Sequence, residues 1–452
     1  MNCDYLCLQY DLINYFSLSE PKITSNNMNY EFTEEFAEKQ DAADPLKKYR
    51  DEFHFPEHKG EKKLYFTGNS LGLQPKNVEK HVKQEIEDWA KYGVDGHFEA
   101  GNPWYSYHEL FSEPLSKIVG AKPHEVVAMN SLTVNLHLLM VSFYKPDNKR
   151  YKILCEAKAF PSDQYALASQ VKHHGLKPEE TLIELSPREG EHIIRTGDVL
   201  ETIEKHKDEL ALIMIGGVNY YTGQLWDMKT ITKAGHNAGA LVGWDLAHGA
   251  GNVNLKLHDW DVDFATWCSY KYMNSGPGGV SGIYVHEKHA ENKALNRFAG
   301  WWGHNKEERF KMEKDFDPIP TAEGWQLSNA AVFSMAPHKA SLELFSAVGM
   351  SALTKKSEKL TGYLEFVLEK VSRQQDGASF EIITPRNSKE RGCQLSVLVH
   401  GEAKKMFDYL TKEGVVVDYR EPNVIRMAPV PLYNNFMDVY RFGKILRAAI
   451  DH

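Results

Sequence analysis

Hydrophobic residues recur along this chain in two ways: at helical spacings of three and four, and as short continuous apolar runs of the kind buried strands make. Residues 1–28 carry no convincing period and read as a mobile leader. The stretch 31–53 is charged and helical in pattern, with Asp44-Pro45 as a restart point. Val78, Val82, Ile86 and Trp89 then recur at spacings of three and four, after Pro75 and before Gly93, which predicts a strong amphipathic helix.

From there the pattern alternates. Strand-like runs are VVAM (126–129), YKILCEA (151–157), TLIEL (181–185), ALIMIGGV (211–218), ALVGWDLA (240–247), VDFATWC (262–268) and GIYVHE (282–287). Helical segments lie between most of them, for example 131–141, 161–174 and 196–210. Strands rich in Val and Ile that alternate with helices imply βαβ units and a mostly parallel sheet covered on both faces. Such a sheet binds its ligand at the carboxyl ends of its strands. After Pro337 the pattern changes. Helix runs through Leu342, Leu344 and Phe345, pauses at Gly349 and resumes over 351–371, followed by shorter strands at 380–385, 393–400, 415–419 and 423–429. This predicts a second, smaller α+β domain. There is no internal repeat and no low-complexity segment.

Composition narrows the picture. The chain has 452 residues, 42% hydrophobic and 25% charged, which is ordinary for a globular protein with a large core. A net charge of −9 gives no basic footprint for nucleic acid or an anionic membrane. No apolar run approaches the ~20 residues that span a bilayer. The first basic residue is Lys22, and Asp4 and Asp11 interrupt the early apolar stretch, which argues against a secretory signal or a transit peptide. Five cysteines (Cys3, Cys7, Cys155, Cys268, Cys393) form no CxxC pair, which favours reduced thiols in the cytoplasm over disulfides or a metal site.

Four segments carry candidate chemistry. In WCSYKYMNSGPGGVSG (267–282), Lys271 follows a hydrophobic strand, sits among Trp267, Tyr270 and Tyr272, and precedes a glycine-rich turn. A surface lysine would have polar neighbours; a partly buried amine can act as a nucleophile on an aldehyde. In ALVGWDLAHG (240–249), Asp245 lies where the strand should end and His248 one turn later. A carboxylate there can face a pyridine nitrogen, or simply cap the next turn. In NSLTVNLHLLM (130–140), Ser131 or Thr133 can cap a helix whose free N–H groups cradle a phosphate, although most such caps bind nothing. In AFPSDQYA (159–166), Phe160 can stack on a flat ring and Asp163 can hydrogen-bond to it; the alternative is a turn with Pro161 at the first helical position.

The ordered set YFTGNSLGLQPK, FPSDQYA, VNYYTGQ, DLAHGAGNV, LHDWDVDFATWCSYKYMNSGPGG, GWWGH, LSN and RMAPVPLYN, from about Tyr65 to Asn434, closely resembles the kynureninase family. That family belongs to the aspartate-aminotransferase-like, fold type I enzymes that use pyridoxal 5'-phosphate. The resemblance implies an α/β fold. A large cofactor-binding domain would span 71–336 and a smaller α+β domain 337–452, with 29–70 associated with the small domain.

Position by position, the resemblance implies that Lys271 forms the Schiff base with the cofactor and acts as base at Cα, and that Asp245 partners the pyridinium nitrogen. Phe160 would stack on the ring, with Asp163 and His248 also in contact. Leu132, Thr133 and Tyr270 would hold the phosphate, with Tyr221 as a second phenol. Trp301 and Asn329 match residues that reach the site from the neighbouring subunit, which implies a homodimer with composite sites. Arg426 would hold the substrate carboxylate, a bidentate task that suits a planar fork, against the alternative of a surface pair with Glu421. Ser70 and His97 match positions on the aryl side of the pocket. His97 with Asn329 resembles family members that prefer 3-hydroxykynurenine to kynurenine. The implied reaction is hydrolytic Cβ–Cγ cleavage to 3-hydroxyanthranilate or anthranilate and alanine, in tryptophan catabolism and NAD biosynthesis. One departure stands out: Gly216 occupies a position where many members carry a small polar residue that can reach the phosphate. Rivals within the fold are a cysteine desulfurase or an aminotransferase.

Overall fold

Seven strands build one sheet in the computed structural model, which describes residues 29–372 and 380–450. They are β1 (Val126–Ala128), β2 (Lys152–Glu156), β3 (Leu182–Leu185), β4 (Leu210–Gly216), β5 (Leu241–Asp245), β6 (Phe264–Cys268) and β7 (Ser281–Val285). Their spatial order is β1-β7-β6-β5-β4-β2-β3. Neighbours are parallel except where β7 runs antiparallel to β1 and β6. Successive side chains of a strand point to opposite faces, and here both faces are covered. Leu212 and Met214 of β4 join one hydrophobic cluster; Ile213 and Ile215 join the other. Each such side chain taken from water contributes about 2 kcal/mol, which is why the strands read as unbroken apolar runs.

The longer helices include α1 (Val78–Tyr92), α2 (Leu132–Phe143), α3 (Pro161–His173), α4 (Val332–Val348) and α5 (Met350–Ser372). Helix α1 forms where the spacing predicts it, but not with the usual orientation of an amphipathic helix. Ile86 and Trp89 are more than half exposed, while His81, Glu85 and Asp88 are buried. The buried face is made tolerable by hydrogen bonds: the Glu85 carboxylate accepts from Trp104 Nε1 (2.9 Å), Tyr107 Oη (3.0 Å) and Asn102 Nδ2 (3.1 Å). Helices α4 and α5 meet at Gly349, whose φ of +77° breaks the helical path as the sequence suggests. Pro337 lies inside α4.

A second sheet is antiparallel, in the order β8 (Phe380–Ile382), β9 (Leu395–Val399), β11 (Val424–Met427), β10 (Asp418–Arg420). The run VVVDY, read as one strand, is split. Val415–Val416 pairs in parallel with Leu64–Tyr65, and only the residues from Asp418 join the second sheet. Arg50 makes a bidentate bridge to Asp438 at 2.7 and 3.0 Å. Residues from Phe32 onward form one compact unit; in the other, Met1–Glu31, only 29–31 are described and they hold no regular structure. The expected leader, 1–28, with Cys3 and Cys7, lies outside the described residues.

Candidate active site

The carboxyl ends of β2, β4, β5 and β6 open onto one cleft. It is lined by Leu132, Thr133, Phe160, Asp163, Asp245, His248, Tyr270 and Lys271, together with Glu156, Gly216 and Tyr220. The first eight are among the cofactor-side residues expected from the sequence, drawn from four separate segments; Trp301, Asn329 and Tyr221, expected there too, are not.

Lys271 reaches the cleft because the turn after β6 is tightly built. Asn274 N donates to Lys271 O (3.1 Å), Ser275 N to Ser269 O (3.1 Å), and Gly72 N to Tyr270 O (2.8 Å). Gly276 adopts φ +89°, a region L side chains avoid. At Gly72 a Cβ would stand 2.4 Å from Lys271 O, so only glycine lets that segment approach. Lys271 Nζ lies 3.1 Å from His248 Nε2 and 5.8 Å from the centroid of the Phe160 ring. Burial holds the His248 imidazole well below its ordinary range, and the charges of Lys271, Arg426 and Arg420 push the same way. Neutral His248 therefore accepts a hydrogen bond from Lys271.

Asp245 ends β5, where its Oδ1 accepts from Ala247 N (2.7 Å). Asp163, from the first turn of α3, has its carboxyl against it. Burial, then the neighbouring Asp245 charge, hold Asp163 well above the carboxylate range. Burial raises Asp245 too, but Ala247 N–H, Lys271 and the hydrogen bond from Asp163 oppose it. Of the two, Asp163 is pushed further toward its protonated form, and the negative charge is better kept by Asp245.

In the same cleft, the amides of Leu132 and Thr133 open α2 and have no acceptor within the helix. Ser131 occupies the cap position without a side-chain cap bond. The turn is instead fixed by Asn135, whose Oδ1 accepts from Asn130 Nδ2 (3.0 Å) and whose Nδ2 donates to Met129 O (2.9 Å). An anion suits this end of the cleft. Asp163 Oδ1 and His248 Nδ1 are buried without a hydrogen-bond partner among the described residues. The arrangement therefore fits a flat ligand with a cationic or polar ring edge at Asp245, polar substituents toward Asp163 and His248, and an anionic tail at α2. Pro161 occupies the first helical position of α3, which leaves Phe160 at the cap, partly exposed in the cleft.

Other positions are not among the lining residues. Ser70 and Asn329 are exposed, and Trp301 is about half exposed with Nε1 donating to Arg309 O (3.0 Å). His97 Nδ1 is 3.0 Å from Val94 O, and its ring packs edge-on to Trp104. Arg426 is buried in β11 and held by Asp418 and by Tyr220 O, so its carboxylate partner is Asp418 rather than Glu421. Tyr220 lines the cleft, with its ring 5.4 Å from that of Phe160, whereas Tyr221 does not line it.

Tyr220 and Glu156 are among the lining residues that the sequence pattern does not single out. Tyr220 shares the NYY run with Tyr221, and only the turn decides which ring faces in. Glu156 ends the apolar run of β2, and a carboxyl at that point of a buried strand is the signal that was there to be used.

Comparison with solved structures defines the fold. Over 90% of this chain and 97% of that one, the backbone matches the cysteine desulfurase CsdA from Escherichia coli with a TM-score of 0.70 at 17% identity. Over 85% and 96%, it matches a C-DES mutant with glycine covalently linked to the PLP cofactor, with a TM-score of 0.71 at 13% identity. The fold is that of the fold type I pyridoxal-phosphate enzymes. Residues 353–446 match the family model described as the kynureninase C-terminal domain. A kynureninase of Flavobacterium psychrophilum is 61% identical over 94% of this chain and 99% of its own, and one of Nematostella vectensis is 49% identical over 92% and 93%. The chain belongs to the kynureninase family.

Proposed function

We propose that the chain acts as a kynureninase. With pyridoxal 5'-phosphate as cofactor, it cleaves the Cβ–Cγ bond of 3-hydroxykynurenine and kynurenine by hydrolysis, releasing an anthranilate and alanine. The observation that carries the reading is Lys271 beside His248 at the strand ends that also bring Asp245 and Asp163 together, in a chain 61% identical to a kynureninase.

Lys271 Nζ is the group that would hold the cofactor, between Phe160 and His248. Phe160 offers a ring face, Asp245 the negative charge for the pyridine nitrogen, and Leu132, Thr133 and Tyr270 the donors for the phosphate. When bound, pyridoxal phosphate supplies a sink for the electrons left when a proton leaves the substrate Cα. The chain's own residues do the rest. Asp163, pushed toward its protonated form, donates to Asp245 when it holds that proton, which leaves the charge facing the ring on Asp245. Lys271 Nζ takes the Cα proton, and His248 Nε2 steers it from 3.1 Å. Arg426, backed by Asp418, grips the substrate carboxylate.

The dimeric reading draws on two observations. Trp301 and Asn329 do not line the chain's own cleft, and Trp89, Phe98, Phe310 and Phe333 are exposed apolar rings of the kind an interface covers. Ser70 and His97 belong on the aryl side of the substrate in the same reading. The large and small domains, 71–336 and 337–452 with 29–70 against the latter, remain part of it; the pairing of Leu64–Tyr65 with Val415–Val416 and the Arg50–Asp438 bridge support the last. A cytoplasmic site in tryptophan catabolism goes with three free, buried cysteines. Among the described residues no helix is long and apolar enough to cross a membrane.

The desulfurase alternative needs a mobile, nucleophilic cysteine. Burial pushes the Cys393 thiol up to about 12, and its backbone N–H is tied to Asn252 Oδ1 at 2.9 Å. A steady-state assay with the cofactor decides. We expect anthranilate fluorescence from kynurenine and a higher kcat/KM for 3-hydroxykynurenine, with the gap eroded in a His97→Phe, Asn329→Ala double variant. Sulfide from cysteine without any anthranilate would reject the reading.

A further inference from the structure

Glu156 ends β2 with its carboxyl buried in the cleft that holds Asp163 and Asp245, and the chemistry above gives it no task. Its two oxygens are not equivalent. Oε2 accepts a hydrogen bond from Asn219 Nδ2 at 3.0 Å. The Asn219 amide is locked in that orientation, because its Oδ1 already accepts from Tyr221 N (2.9 Å), Thr222 N (2.8 Å) and the Thr222 hydroxyl (3.1 Å). Oε2 is therefore an acceptor, and a proton on this carboxyl belongs on Oε1. Oε1 has no hydrogen-bond partner among the described residues, and a Cβ built on Gly216 would stand 3.1 Å from it. The missing side chain at 216 is what leaves Oε1 open to the cleft.

The surroundings favour the protonated form. Burial raises Glu156 to about 7, with the Asn219 bond opposing and the Asp245 charge adding. Asp245 faces it from β5 and Asp163 from α3. The remaining titratable groups of the cleft are Lys271, His248, Tyr220, Tyr270 and Cys268.

We propose that Glu156 is a positioning residue held as a neutral acid, whose Oε1–H donates a hydrogen bond to the polar ring edge of the bound cofactor. The inference rests on the cofactor reading above. The proton is held and not transferred. Loss of that proton removes the donor and adds a negative charge beside an anionic ligand, so the cofactor is released more readily as pH rises. A glutamine imitates the neutral acid at every pH, with its carbonyl toward Asn219 and its NH₂ toward the cleft.

The test is the apparent Kd of the full chain for pyridoxal phosphate, followed by the visible band from about pH 6 to about pH 8.5. Wild type should weaken by up to about tenfold per unit above the midpoint. Glu156→Gln should bind tightly across the range, leaving only the dependence that the free cofactor contributes to every variant. Gly216→Ser, whose hydroxyl can donate to ionised Oε1, should move the midpoint to lower pH, and it decides the matter if the glutamine variant does not fold. A Glu156→Gln profile that tracks wild type, or an unmoved midpoint in Gly216→Ser, overturns the proposal. A wild-type protein with no visible band overturns the cofactor reading, and this inference with it.

Discussion

Lys271 Nζ lies 3.1 Å from Nε2 of His248, and the imidazole is held neutral by its burial. An ammonium has donors only, so in that state the lysine donates and the neutral imidazole accepts. His248 also lies against Tyr272, whose ring centroid is 6.1 Å away, and its carbonyl accepts from Asn252 Nδ2 at 2.9 Å. The lysine proposed to reach both cofactor and substrate is thus aimed by a ring that does not itself titrate near neutral pH.

Asp163 is pushed further above the carboxylate range than Asp245, which makes the two carboxyls unequal. Asp245→Asn removes the charge facing the ring and should lower kcat by about 100-fold. Asp163→Asn keeps a donor toward Asp245 and should cost much less than Asp163→Ala. Steady-state kinetics of the three variants, each saturated with cofactor, check the order.

His338 in α4 is fully buried, stacked on Phe111 with ring centroids 5.6 Å apart, and neither ring nitrogen has a hydrogen-bond partner among the described residues. Burial pushes it down from 6.5 to about 3. The folded chain therefore binds fewer protons here than the unfolded one. The stability this gives is present above pH 6.5 and is lost as pH falls toward about 3. The expected slope is up to about 1.4 kcal/mol per pH unit. His338→Phe removes the proton linkage without breaking a hydrogen bond. Urea denaturation at about pH 7.5 and about pH 5.5 should show a smaller acid loss in the variant, whatever the packing change costs at both.

Arg426 is buried, and its fork is already held by Asp418 and Tyr220 O. Arg426→Lys keeps the charge and loses the planar pair of donors, so KM should rise by about tenfold or more. Cofactor affinity, measured on the same protein, should hold within about threefold, because Arg426 does not line the cofactor cleft.

The sheet and the cofactor end of the cleft were legible because both depend on local pattern. Buried parallel strands are unbroken apolar runs, and their carboxyl ends mark where Asp245 and Lys271 must emerge. What α1 does with its stripe was not legible, since the spacing of Val82, Ile86 and Trp89 says which positions are apolar and not what covers them. The division of VVVDY between two pairings depends on Leu64–Tyr65, some 350 positions away in sequence. Glu156 was hidden for a related reason: one carboxyl in an apolar strand reads as its end, and only the neighbouring strands reveal that it faces Asp245.

If Trp301 and Asn329 serve the partner's site, two crippled chains can complement one another. Lys271→Ala mixed with an Asn329→Ala, Trp301→Ala variant, after dissociation and reassociation, should regain activity that neither has alone. Absence of any recovery, with hybrid dimers verified by native mass spectrometry, would count against a shared site.

The role of Lys271 is tested most directly by borohydride reduction of the cofactor-loaded chain, followed by peptide mapping. The account predicts a stable pyridoxyl group on Lys271 in the peptide bearing SYKYMNSGPGG, and none in Lys271→Ala. Label on a different lysine, or a loaded wild type that reduces without any labelled peptide, would contradict it.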